Sequence, residues 1–170
     1  MELLEAFSIP ISGLDDGVHH YHFEVDGDFF EKFENSPISS GDLNVEMELD
    51  KRSDMLVLWF DISGTIDESC DRCLASIDLP VTGRHRLIGK HGSGEEEADV
   101  FYFDPGLNKL NVAKFVYDFC CLSVPLSKTY DCRSEAEIPC DEKVLEEQRE
   151  KDHVKNNPVW DQLKDVKFDN

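Results

Sequence analysis

Residues 42–49, DLNVEMEL, alternate strictly between polar and apolar side chains. Successive side chains of a β-strand point to opposite faces, so Leu43, Val45, Met47 and Leu49 share one face. The acidic and amide side chains between them share the other face. This pattern is typical of an antiparallel strand with one face on the core and one in water. The stretch therefore predicts a sheet with a wet face.

The sequence on both sides of this strand also favours β-structure. Residues 20–25 alternate in the same way, and residues 55–63 form a more completely apolar strand that continues in extended form to residue 68. Further strands are expected at 77–88 and 100–103. A short edge strand is expected at 7–11, where Pro10 cannot donate to a ladder. Phe29, Phe30 and Phe33 predict a short helix over about 27–34.

A longer helix is predicted only near residue 112. Val112, Phe115, Val116, Phe119 and Leu122 recur at helical spacing, and Pro125 ends the pattern. Charged helices poor in apolar residues follow, at 142–152 and after residue 157. The predicted fold is α+β: a mainly antiparallel β meander with one amphipathic core helix and a short helical C-terminal tail. We expect a single domain over 1–140 and an acidic, loosely attached tail over 141–170.

The charge of the chain is strongly negative. Lys and Arg total 17 against 37 Asp and Glu, a net charge of −20, and Lys32 is the only one of these bases among the first fifty residues. A nucleic-acid-binding protein usually has the opposite sign, because phosphate contacts supply most of its affinity. Basic protein partners suit this charge better. The first residues lack a basic signal-peptide region and no stretch is long enough to span a membrane, so we expect a cytosolic protein.

Four of the six cysteines form a candidate metal site. Cys70 and Cys73 have the spacing of half a structural zinc centre, and Cys132 and Cys140 are candidates for the other half. Alternatives are reduced thiols in a tight turn, the remnant of a lost metal site, or a redox pair. The redox alternative suits the sequence less well, since it uses a helix N-terminus to lower a thiol pKa. Cys120, in the apolar helix, is expected to pack in the core.

Basic residues cluster around the strand at 77–88. Arg84, Arg86 and Lys90, together with Arg72, are the best candidates for RNA or partner contacts, although the wet face of an ordinary strand explains them as well. Trp160, in a polar tail, is a candidate docking residue.

For other aromatic and polar side chains, a structural role explains the sequence most simply. Trp59 is expected in the core. His20 and His22 share a face and suit either a metal or, more simply, the solvated side of an edge strand. No phosphate-binding loop, nucleophile elbow or HExxH pattern is present, which argues against an enzyme.

Several short motifs, taken in order, resemble one bacterial family. Residues 70–74, CDRCL, resemble the C-x-R-C motif of the YceD-type family of large ribosomal RNA subunit accumulation proteins. Residues 122–125, LSVP, resemble its L-x-x-P segment after an apolar helix. Cys140 before an acidic helix, and residues 157–164, resemble its later motifs. The spacing of Cys132 and Cys140 is less regular than in relatives whose cysteines suggest zinc.

The resemblance implies a function without catalysis. It implies a non-catalytic accessory factor in the accumulation or processing of large-subunit ribosomal RNA, with no catalytic residue to carry over. The implied partners are the pre-ribosomal large-subunit particle or basic ribosomal proteins, with zinc as the candidate cofactor. The alternatives are a thiol-based redox switch or enzyme that uses Cys70 and Cys73, and a protein-interaction domain unrelated to RNA.

Overall fold

A five-stranded sheet forms around residues 42–49. The computed structural model describes residues 2–94, 99–129 and 140–153. The sheet has the order β2-β3-β4-β5-β6, formed by Gly17–Val25, Gly41–Lys51, Met55–Ser69, Ser76–His91 and Val100–Phe103. A separate pair joins β1 (Ser8–Pro10) to β7 (Lys109–Asn111) in antiparallel orientation. The helices are α1 (Glu2–Glu5), α2 (Gly27–Phe30), α3 (Ala113–Ser123) and α4 (Glu142–His153).

The predicted α+β class is confirmed, with one departure from the meander. β2, β3 and β4 pair in antiparallel orientation, as the alternating pattern predicts. β5 and β6, however, run parallel, with Ile88 opposite Val100 and His91 opposite Phe103. Alternation shows which side chains share a face but not which direction a neighbouring strand takes, so the sequence did not reveal this pair.

The core face of the sheet carries the predicted apolar residues of β3. Leu43, Val45, Met47 and Leu49 are each at most 1% exposed. Burial of each such side chain contributes about 1.5–3 kcal/mol to folding before the entropy cost is subtracted. Gly64 allows β3 and β4 to approach closely at this level. A Cβ there would lie 2.2 Å from the backbone oxygen of Asp42, and the φ of Gly64 is +149°.

Helix α3 packs on the core face through aromatic rings. The ring of Phe119 lies 5.0 Å from that of Phe60 on β4, and Phe115 lies 5.0 Å from Phe101 on β6. Cys120 is fully buried, as predicted. Leu122, by contrast, is 69% exposed, so the predicted apolar face is wrong at its last position. The helix ends at the next residue, Ser123, and no further turn follows to cover Leu122.

The short α2 is placed by its cap and by aromatic packing. Asp26 caps the helix start, since its side-chain carboxylate and its backbone carbonyl both accept from the Phe29 amide. Phe29 and Phe30 are buried, whereas Phe33 stacks on Tyr117 of α3 at 3.9 Å. Regular helix ends at Phe30, earlier than predicted, and hydrogen-bonded turns continue to Phe33.

The chain divides into two compact units. The first comprises residues 1–68 and 78–128 and holds most of the sheet together with α2 and α3. The second comprises residues 69–77 and 129–170, and α4 belongs to it. Asp141 caps α4 by accepting a hydrogen bond from the Lys143 amide. The helix predicted after residue 157 lies outside the described residues. Within the described ranges, no helix is long and apolar enough to cross a membrane.

Candidate functional site

The first candidate site is the cysteine turn, residues 70–75, which connects β4 to β5. The Leu74 amide donates to the Cys70 carbonyl at 2.8 Å, and the Cys70 amide donates to the Ala75 carbonyl at 2.8 Å. Leu74 adopts φ +62°, a left-handed conformation that is costly for a residue other than glycine. The turn holds both thiols inside, since Cys70 is 0% and Cys73 1% exposed, whereas Leu74 is 70% exposed.

The other two predicted zinc ligands are placed less completely. Cys140 is half-buried and belongs to the same compact unit as the cysteine turn. Cys132 lies outside the described residues. In the part of the chain that the structure describes, no three His, Cys, Asp or Glu side chains form a metal-binding group. Because Cys132 is not among those residues, the four-cysteine site stays a prediction.

Burial of the thiols argues against redox chemistry at the cysteine turn. Attack by a cysteine requires an accessible thiolate, and both thiols of the pair are turned inward. Cys120 on α3 is inert for a related reason. Burial, helped by the charge of neighbouring Cys121, raises the pKa of the Cys120 thiol to about 12. A thiol with such a pKa stays protonated at neutral pH and acts as a small apolar side chain.

The second candidate site is the open face, which we define as the sheet surface opposite α3. Its side chains are exposed or half-buried. The cross-strand register places His20 beside Glu48, His22 beside Glu46, Glu46 beside Asp61, and Glu48 beside Trp59. β2 forms one edge of the sheet, so the solvated-edge interpretation of the two histidines is confirmed.

Two of the predicted basic residues meet on the open face. The guanidinium carbons of Arg84 and Arg86 lie 5.0 and 5.7 Å from the ring centre of Trp59. The Arg84 Nε also lies 3.5 Å from a carboxylate oxygen of Asp61. Stacking of this kind contributes about 0.5–1 kcal/mol per pair at exposed sites. The predicted core position of Trp59 is wrong, because its ring is half-buried beneath two arginines on the wet side of β4.

The remaining predicted contact residues are Lys90, Arg72 and Trp160. Lys90 is exposed and follows Arg84 and Arg86 at the same alternation on β5. Arg72 is exposed in the cysteine turn, within the second compact unit. Trp160 lies outside the described residues. Among the described residues of the first compact unit, the structure brings Arg84 and Arg86 together, and Trp59 and Asp61, which the sequence alone does not single out, join them.

His85, between the two arginines in sequence, points to the core side. Its ring stacks on Phe119 at 4.7 Å with an interplanar angle of 5°, and its Nε2 lies 2.8 Å from the Ser123 hydroxyl. That hydroxyl donates in turn to the Phe119 carbonyl, so the imidazole donates to Ser123 rather than activating it. Burial lowers the pKa of His85. His85 therefore connects β5 to the end of α3 through a hydrogen bond and a ring contact, and it does not belong to the basic surface.

Two shallow depressions meet on the open face. One is lined by His20, His22, Glu46, Glu48 and Asp61 among others. The other is lined by Glu46, Asp61, Ser63, Thr82 and Arg84 among others. Both share the carboxylates of Glu46 and Asp61, which are direct cross-strand partners. Like charges directly opposite each other repel, and the Arg84 Nε, 3.5 Å from a carboxylate oxygen of Asp61, offsets part of this repulsion.

Comparison with known proteins identifies the family. The comparisons with curated proteins and with solved structures gave no match. A family model described as "Large ribosomal RNA subunit accumulation protein YceD" matches residues 58–167. The match begins within β4 and includes the cysteine turn, β5, α3 and α4. It spans more than half of the 170 residues, and the chain therefore belongs to the YceD family.

Proposed function

We propose that this chain is a non-catalytic accessory factor in the accumulation of large-subunit ribosomal RNA and that it acts by binding. The observation that carries this proposal is the family match over residues 58–167. The chemistry of the described surface supports binding, because the open face offers charged and aromatic side chains over a wide, shallow area. The proposed location is the cytoplasm, where the proposed partner, the pre-ribosomal large-subunit particle, is assembled.

A structural zinc ion at Cys70, Cys73, Cys132 and Cys140 forms the second part of the proposal. The closed turn at Cys70 and Cys73 supports it, since two inward thiols three residues apart can share one tetrahedral ion. The strained conformation of Leu74 supports it as well, because such strain persists where a turn must hold a set geometry. Zinc would join the turn to the residues that precede α4 and would have no catalytic role.

Co-sedimentation tests the binding function. Tagged full-length protein should migrate with immature large subunits in a density gradient run at low salt, because its charged surface interacts more strongly when salt is low. Mature subunits should carry much less of it. Protein found only in ribosome-free fractions at low salt would contradict the proposal and favour an interaction domain unrelated to RNA.

A further inference from the structure

Charge is unevenly distributed over the open face. On β5, Arg84 contacts Asp61 and stacks on Trp59, whereas Arg86 stacks on Trp59 without an ion pair among the described residues. On β3, Glu46 and Glu48 also form no ion pair within residues 2–94, 99–129 and 140–153. The β3 side of the face is therefore negative, and its cations lie on the β5 side.

The location of these carboxylates favours a ligand that lies along the sheet. Glu46 and Glu48 line the depression beside β2, and Glu46 also lines the one beside β5. The first depression reaches the edge strand, where it is bordered by the exposed rings of His20 and His22. A cationic side chain at the junction would offset the repulsion between Glu46 and Asp61. A phosphate there would be repelled by the same carboxylates.

We propose that the open face binds an extended, Lys- and Arg-rich segment of a partner protein, with Glu46 and Glu48 as its main contacts. This inference deepens the proposed function by naming the class of partner and the surface that receives it. The charge of the whole chain, −20, assists the encounter with such a partner. Net charge alone does not select a binding surface. The carboxylates of Glu46 and Glu48 on β3 would provide the specific contacts with the basic side chains of the partner.

The test uses the full-length protein and a fluorescent 12-residue peptide of alternating Lys or Arg and small residues, at about 0.15 M salt, where exposed charges are strongly screened. The variant Glu46→Gln with Glu48→Gln should weaken binding about tenfold, since two exposed charge contacts are lost. The matched control is Glu31→Gln with Glu34→Gln, which removes the same charge from exposed positions after α2. It should weaken binding less than about twofold, because only general attraction changes.

Three outcomes would overturn the inference. Equal weakening by the two double variants would reduce the effect to net charge. Absence of peptide binding by the parent would mean that the face takes no basic segment. The third outcome is that the parent binds a 12-nucleotide single-stranded RNA more tightly than the peptide and that Arg84→Gln abolishes the RNA binding.

The design keeps this inference separate from the proposed function. Thermal unfolding should show the Glu46→Gln, Glu48→Gln variant to be folded, because it removes a repulsive cross-strand pair. If it were unfolded, Glu46→Gln alone would replace it. Co-sedimentation of the parent together with unchanged peptide binding by the variant would leave the function standing and reject this surface.

Discussion

At the scale of residues, the interpretation of the cysteine turn depends on Cys70 and Cys73. Their spacing alone was compatible with a zinc ligand pair, a redox pair or a simple turn. The structure turns both thiols inward and closes the turn with the amide of Leu74. This geometry weakens the redox alternative because an attacking thiolate must be accessible. A structural ion and a simple packed turn both fit it.

Native mass spectrometry of the full-length chain, purified without chelator, distinguishes a zinc-bound cysteine turn from a packed turn without metal. We expect one zinc ion per chain in the parent and in Cys121→Ser, whose half-buried thiol lies on α3. We expect none in Cys73→Ser, because three remaining ligands do not complete a structural site. Folded parent protein without metal would contradict the four-cysteine site.

His85 is the residue whose protonation should affect stability. Burial lowers its pKa in the folded state, whereas the unfolded chain has the ordinary value of about 6.5. The unfolded state therefore binds more protons as the pH falls below 6.5, and folding becomes less favourable until the folded-state pKa is passed. Above pH 6.5 both states are neutral, and this contribution to stability is complete.

The comparison of urea unfolding at pH 7.5 and pH 5.5 measures this effect. His85→Gln keeps a hydrogen-bond donor near Ser123 but does not titrate, so it should lose less stability than the parent between the two pH values. Equal losses in parent and His85→Gln would contradict the structural account of this ring.

At the scale of elements, the β3–β4 pair depends on glycine. Gly64→Ala would place a Cβ against the backbone of Asp42 and impose a left-handed conformation on alanine. We expect a loss of about 2–4 kcal/mol in the free energy of unfolding, measured in urea. Gly13→Ala is the control, since a Cβ there meets no atom within 4 Å, and it should change stability by less than about 0.5 kcal/mol. Comparable losses in both variants would contradict the close approach.

The strands were predictable wherever alternation was clear. The pattern at 42–49 gave β3 and its two faces, and helical spacing gave α3 up to its last turn. Trp59 was misplaced because β4 is apolar on both sides, yet Asp61 shares its alternation and marks that side as wet. The pairing of β1 with β7 and the parallel β5–β6 pair depend on contacts between distant residues, which periodicity does not encode.

At the scale of the whole molecule, the acidic surface and the family match concern different parts of the chain. The chain carries −20, and its unsatisfied carboxylates face outward from the sheet rather than into an enclosed site. The family match covers the cysteine turn and the basic strand β5 but begins after β3. The carboxylates proposed to receive a basic partner therefore lie outside the matched region, and no signal of that match could have revealed them.

The most direct test of the proposed function is the ratio of large- to small-subunit ribosomal RNA in cells that lack this protein. The ratio should fall when the gene is deleted and recover when the full-length chain is supplied again. Small-subunit RNA serves as the internal reference, because a general decline in growth lowers both RNAs. An unchanged ratio in the deleted cells would contradict a role in the accumulation of large-subunit ribosomal RNA.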